Sequence, residues 1–128
     1  MYNDFRDEWL SGLAQRLQLP LLAFDDNGLC QLTLDQEMII TLHKAADQNY
    51  LVLFGQIPAE PILPILMQQL LIENRNNARL SAPVLSISEN LDAIEVLYKL
   101  SEDELNGNAD IVEQLVGNLE HWHNRVIQ

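Results

Sequence analysis

Residues 62–73 read Ile62-Leu63-Pro64-Ile65-Leu66-Met67-Gln68-Gln69-Leu70-Leu71-Ile72-Glu73, and the reading of this run decides the fold. Pro58, Pro61 and Pro64 punctuate its start. Proline is tolerated in the first turn of a helix, where amide donors go unused, so a helix is predicted over roughly residues 62–76. Ile62, Leu63, Ile65, Leu66, Met67, Leu70, Leu71 and Ile72 cover most of its circumference. Gln68, Gln69, Glu73 and Asn76 leave only a narrow polar strip. A helix that is apolar nearly all round must be buried nearly all round. In a chain this short one sheet covers one face, and each large apolar side chain left in water forgoes about 1.5–3 kcal/mol. A second copy of the chain is the simplest cover, so these residues predict a homodimer.

Outward from this helix lie strand patterns. On the N-terminal side, Asp26-Asn27-Gly28 is turn chemistry. Cys30, Leu32 and Leu34 then alternate with Gln31 and Thr33, the period of a half-buried strand. Met38, Ile40 and Leu42 repeat the pattern after a turn near Asp35-Gln36, and Ala46 to Asn49 make another turn. Tyr50 to Ile57 is a third strand, with Leu51 and Leu53 on one side and Val52 and Phe54 on the other. A strand apolar on both faces is central or covered. On the C-terminal side, Val84, Leu85 and Ile87 follow Pro83. The loop Glu89-Asn90-Leu91-Asp92 leads to a fifth strand, Ala93 to Leu100, with Ile94, Val96 and Tyr98 on one side.

Helices close both ends. Phe5, Trp9, Leu13 and Leu17 recur at i+4 with Leu10 beside them, giving a helix over about 4–18. Asn3 or Asp4 caps it, and Pro20 ends it. Ile111, Leu115, Leu119, Trp122 and Val126 mark the last helix, about 109–126, widened by Val112 and Val116. The stretch from Ser101 to Asn108 reads as an acidic linker. The expected fold is α+β in the order α-β-β-β-α-β-β-α: an antiparallel twisted sheet of about five strands with three helices, one domain over residues 1–128.

Hydrophobic residues make up 48% of the chain and charged residues 20%, ordinary globular usage rather than disorder. Seven basic against 19 acidic residues give a formal charge of -12. Such a surface repels phosphate, which argues against nucleic acid and anionic membrane and favours basic or apolar partners. Cys30 is the single cysteine, so no intrachain disulfide forms, in keeping with a reducing compartment. Within an apolar run it reads as a small core residue. The first residues carry neither a basic region nor an apolar stretch, so no signal peptide is expected. The apolar run at 62–72 is broken by Pro64, Gln68 and Gln69 and is too short for a bilayer.

His121 and His123 flank Trp122, but two residues apart on a helix they point about 200° apart and cannot share an ion. His43 has no nearby partner in sequence. In Asp25-Asp26-Asn27-Gly28, a calcium loop with Gly28 at the sixth position would need ligands where Ala23 and Leu34 stand, so a turn is the better account. There is no phosphate loop, nucleophile elbow or Cys-His arrangement. The carboxylates at Asp4/Asp7/Glu8 and Glu102/Asp103/Glu104 read as solvated faces. The expectation is a non-enzyme with no cofactor and no metal.

Taken together, the element order, acidity, length and leucine-rich middle helix resemble the class I type III secretion chaperones, the CesT-like (Tir-chaperone-like) family. Phe5 to Leu17 resembles that family's first helix, Leu29 to Leu34 its first strand, and Tyr50-Leu51-Val52-Leu53-Phe54-Gly55-Gln56-Ile57-Pro58 its third strand and following loop. Leu115-Val116-Gly117-Asn118-Leu119-Glu120-His121-Trp122 resembles the spaced apolar residues that precede a C-terminal Trp. One departure is the turn between strands four and five, often Gly-containing in the family, where Glu89-Asn90-Leu91-Asp92 has none.

The resemblance implies a bacterial cytoplasmic homodimer that binds the N-terminal chaperone-binding segment of a secreted effector. Such a dimer would keep the effector soluble and secretion-competent, and would meet the ATPase of the secretion apparatus. It places the dimer seam at Leu63, Leu66, Met67, Leu70, Val84 and Leu85. It places effector contacts at Phe5, Trp9, Leu32, Leu34, Leu42, Val52 and Phe54. Two alternatives remain: a small dimeric adaptor of the same fold acting through protein contacts, and a small-ligand-binding domain, which would require a polar cluster in a closed pocket from residues such as Thr41, His43 and Tyr50 that look ordinary in sequence.

Overall fold

The computed structural model describes residues 4–19, 22–34, 38–45, 47–59, 62–79, 83–108 and 110–126. The elements are α1 (Phe5–Arg16), β1 (Leu29–Leu34), β2 (Met38–His43), β3 (Tyr50–Pro58), α2 (Pro64–Arg79), β4 (Val84–Ile87), β5 (Ala93–Ser101), α3 (Glu102–Gly107) and α4 (Ile111–Val126). All pairings are antiparallel, in the order β1-β2-β3-β5-β4. The expected α+β order and five-stranded sheet are therefore present. The turn predicted near Asp35-Gln36 and the Asn3 cap fall on residues outside those described; of the turn predicted from Ala46 to Asn49, residues 47–49 are described and turn into β3, and Asp4 caps α1.

Alternation divides the sheet into two unlike faces. One carries Cys30, Ile40, Leu42, Leu51, Leu53, Ile57, Ile94, Val96, Tyr98 and Leu100, all buried. Registers such as Leu42↔Leu53 and Leu53↔Tyr98 put them side by side. α4 lies over β3 and β5 on this face, contributing Ile111, Leu115, Leu119 and Trp122 to a single core with Leu10 and Leu13 of α1 and Leu66 and Leu70 of α2. Gly55 lets α4 come close: a Cβ there would stand 2.7 Å from Leu119 Cδ1 and 2.9 Å from Leu115 Cδ1.

Three local results differ from the sequence expectation. The acidic stretch after β5 is not a linker but a short helix, α3. Ser101 caps it in a reciprocal box with Glu104, and Leu105 is buried beneath it. α1 is turned relative to its apolar stripe. Leu10, Leu13 and Ala14 are buried together with Arg6, whereas Phe5 and Trp9 are half-buried and Leu17 is exposed. The turn follows from Arg6, whose guanidinium pairs with Asp4 at 2.7 Å and donates to the carbonyls of Ala45 at 2.8 Å and Tyr50 at 3.1 Å. A charge so satisfied tolerates burial and ties the helix to the β2–β3 connection. Finally, α2 runs on to Arg79, and its last turns reach the edge of β4.

That edge is closed by side chains. Asn74 accepts from the Leu85 amide at 2.6 Å and donates to the Leu85 carbonyl at 2.7 Å, while Asn77 donates to the Pro83 carbonyl at 2.9 Å. β1, at the other margin, pairs with β2 alone among the described strands.

Candidate partner-binding surface

The second face of the sheet bears no packed helix among the described residues. Its side chains alternate with the buried set: Ile39 and Thr41 on β2, Val52, Phe54 and Gln56 on β3, Glu95 and Leu97 on β5, and Val84 on β4. Register brings them together as Ile39↔Gln56, Thr41↔Phe54, Phe54↔Leu97 and Val84↔Leu97. Val52, Phe54 and Leu97 are half-buried, Val84 is exposed, and none of these belongs to the core cluster. The result is an apolar centre with a polar margin. On that margin Gln56 donates to Glu95 at 3.4 Å. Burial pushes the Glu95 carboxyl above its usual range, with the charge of Glu89 adding to the effect.

A second apolar surface lies on α2. Leu66 and Leu70, four residues apart, are buried in this chain's own core. Ile65 and Ile72, seven residues apart, turn the opposite way, with Leu71 at their flank and Leu63 just before the helix. Leu63, Ile65, Leu71, Ile72 and Val84 are between 53% and 69% exposed, so α2 is covered on one side only.

The seam residues implied by the resemblance thus divide. Leu66, Leu70 and Leu85 are buried within the chain, Met67 is half-buried, and Leu63 and Val84 are exposed. The expected effector contacts divide as well. Val52 and Phe54 share the open face, and Phe5 and Trp9 share one flank of α1, half-buried against the core. Leu32 is half-buried against the core, Leu42 is fully buried, and the side chain of Leu34 lies outside the described residues. Ile39 and Leu97 carry no sequence signal of a role, and Ile65, Leu71 and Ile72 stand out in sequence only as part of the apolar circumference of α2, not as seam residues. The i+7 spacing of Ile65 and Ile72, opposite the Leu66–Leu70 pair, was the signal that could have separated them.

Two further titratable groups of the sheet are shifted by burial. Cys30 is buried, and its thiol is pushed up by that burial. The Tyr98 hydroxyl is also raised by burial, opposed by the 2.8 Å hydrogen bond it accepts from Asn118. Among the described residues no group of three His, Cys, Asp or Glu comes together as a metal set. No helix formed by the described residues is long and apolar enough to cross a membrane.

The same fold occurs in solved structures that include a chaperone–effector complex and a type III secretion chaperone. The structure of the HopA1-SchA chaperone–effector complex contains a chain 23% identical, with a TM-score of 0.73, covering 95% of this chain and 92% of that one. The ExsC-ExsE complex gives a TM-score of 0.81 at 20% identity over 94% of this chain and 92% of that one. The Yersinia pestis type III secretion chaperone SycH, in complex with a stable fragment of YscM2, gives 0.72 at 15% identity over 92% of this chain and 98% of that one. No curated protein matches the chain in sequence. The profile of the Tir chaperone protein (CesT) family matches residues 8–123. With nearly its whole length matched and the fold of those chaperones in place, this chain belongs to the Tir chaperone protein (CesT) family of type III secretion chaperones.

Proposed function

We propose that the protein works as a cytoplasmic homodimer that holds the N-terminal segment of a secreted effector in an extended, secretion-competent state, by binding alone and without catalysing a reaction. The observation that carries this reading is the pair of apolar surfaces that one chain leaves open, one on α2 and one on the sheet. The first suits a second copy. Ile65, Leu71, Ile72, Leu63 and Val84 form the contact layer, with Leu66, Met67, Leu70 and Leu85 packed behind them. The second suits an extended guest. A strand added to β1 would gain main-chain hydrogen bonds, and a continuation of the guest laid across the open face would find apolar cover at Val52 and Phe54 on β3, two strands in. Phe5 and Trp9 extend the same opportunity along α1. A partner bound in this way could be handed on to the secretion ATPase.

The test is co-expression with N-terminal segments of secreted proteins encoded near this gene, followed by purification and light scattering. A stable complex of two copies with one segment is the expected result. Failure of every such segment to co-purify would overturn the reading.

A further inference from the structure

Two hollows lie along one seam, where α1 runs beside the β5–α3 junction. The first is a slot of about 250 Å³ lined by Trp9, Gly12, Leu13, Arg16, Leu105 and Asn106. Leu13 and Leu105 are buried in the core, and Trp9 stands half-buried at the side. Gly12 leaves the slot open, because a Cβ at that position would meet nothing within 4 Å. The second hollow, about 690 Å³, is lined by earlier residues of the same two elements. One turn back along α1 it takes Asp4, Phe5 and Arg6, and just before Leu105 it takes Glu102 and Asp103, with Asp47 opposite.

The charges along the seam give it a direction. Arg6 is consumed by its contacts with Asp4, Ala45 and Tyr50. Glu102 and Asp103 are exposed and Asp47 is exposed across from them, so the wide end is acidic. At the far end of the slot Arg16 faces Glu113 at 4.0 Å. An apolar side chain lodged over Leu13 and Leu105 would gain burial, and a cation a few residues away would meet a field of opposite sign.

Resting on the chaperone reading, we infer that this seam grips a polypeptide segment by one aliphatic side chain in the Leu13–Leu105 slot and by a lysine or arginine set against Glu102 and Asp103. The guest is therefore a basic stretch with an aliphatic anchor, laid along α1 with its cation toward Phe5. The chain's formal charge of -12 favours the same class of guest at long range.

The probe is a random-peptide display library selected on the wild-type protein, with affinities of the selected peptides then measured by fluorescence polarisation. Selected peptides are expected to carry Lys or Arg close to Leu, Ile or Val. Gly12→Leu would fill the slot from its own wall and weaken them by at least about tenfold. Gly12→Ala, which adds one methyl group to the wall, would weaken binding less than Gly12→Leu. Asp103→Lys would weaken binding by a similar factor, more at low salt than at high. Unchanged or raised melting temperatures for both Gly12 variants would separate lost binding from lost fold, since a helix-interior glycine is itself unfavourable. Selected peptides without basic residues, peptides indifferent to both Gly12→Leu and Asp103→Lys, or no selected peptide at all would each overturn the inference. Any of these results alongside intact effector co-purification would leave the chaperone reading standing and place its contacts elsewhere.

Discussion

The carboxamide of Asn74 stands in for a sixth strand at Leu85, accepting from its amide and donating to its carbonyl at 2.6 and 2.7 Å. Two backbone groups that an edge strand would otherwise leave to water are thereby held by one side chain of α2. Asn74→Ala should lower stability by about 1–3 kcal/mol, because neither group finds another partner in a half-buried setting. Urea unfolding would register a lower midpoint with an unchanged slope. A midpoint equal to wild type would mean that water replaces the side chain at no cost.

The outer side of α2 gives a prediction about assembly. Ile72→Glu puts a charge on a residue that is exposed in the single chain, so it should leave the fold intact and halve the mass seen by light scattering. Leu66→Glu should instead unfold the protein, since Leu66 is buried in its own core. Dimers that survive Ile72→Glu would remove this surface from the seam.

Acid sensitivity should centre on Asp4. The side-chain hydrogen bonds from Arg6 pull its pKa from 3.8 to about 2, against the opposing effect of burial. A carboxylate depressed on folding stabilises above its unfolded pKa and loses that contribution as pH falls through the folded value. The contribution, about 2 kcal/mol at neutral pH, should therefore fade between about pH 4 and pH 2. Asp4→Asn should be less stable than wild type at neutral pH, with the gap closing over that interval. A gap that does not change with pH would assign the loss to the capping box shared with Asp7 rather than to the charge.

Gly55 sets how closely α4 can sit. Gly55→Ala would press a methyl group against Leu115 and Leu119, both fully buried, and should cost about 1–3 kcal/mol. Gly55→Leu should cost more and shift the near-ultraviolet signal of Trp122, which lies on the same helix. Tolerance of Gly55→Leu would show that α4 has room to move.

Leu91, in the turn between β4 and β5, has a φ of 57°, a left-handed conformation that disfavours a branched side chain. It is exposed, and the turn is held instead by Ser88, whose hydroxyl accepts from the Asp92 and Ala93 amides at 3.1 and 3.0 Å. Leu91→Gly should raise stability by about 0.5 kcal/mol, the relief of strain outweighing the added freedom of the unfolded chain. A lower melting temperature would show that Leu91 makes a contact worth more than its strain.

Much of this fold is legible in the residues because alternation and helical spacing report burial directly. Leu51 and Leu53 against Val52 and Phe54, and Ile94, Val96 and Tyr98 on one side of β5, fall on the faces that their pattern assigns. α3 escaped that logic. It is six residues long with one buried apolar side chain, so it has no period to read, although Ser101 and Glu104 already spelled a capping box. The burial of Arg6 was illegible for a different reason: two of its partners, Ala45 and Tyr50, are far away in sequence and act through backbone carbonyls, which carry no residue signature. The site was legible as apolar stretches but not as surfaces. Whether Leu66 or Ile65 faces outward depends on where α2 docks, and Asn74 and Asn77 decide that docking at an edge that no local pattern marks.

The plugged margin of the sheet has a bearing on solubility. Growth of a fibre by strand pairing requires every unit to be sticky at both ends. With Leu85 of β4 held by its own helix, each chain has one open edge, at β1, and pairing through that edge alone joins two chains and stops. An edge left open for a partner strand then does not, through strand pairing alone, build a fibre of the chain itself.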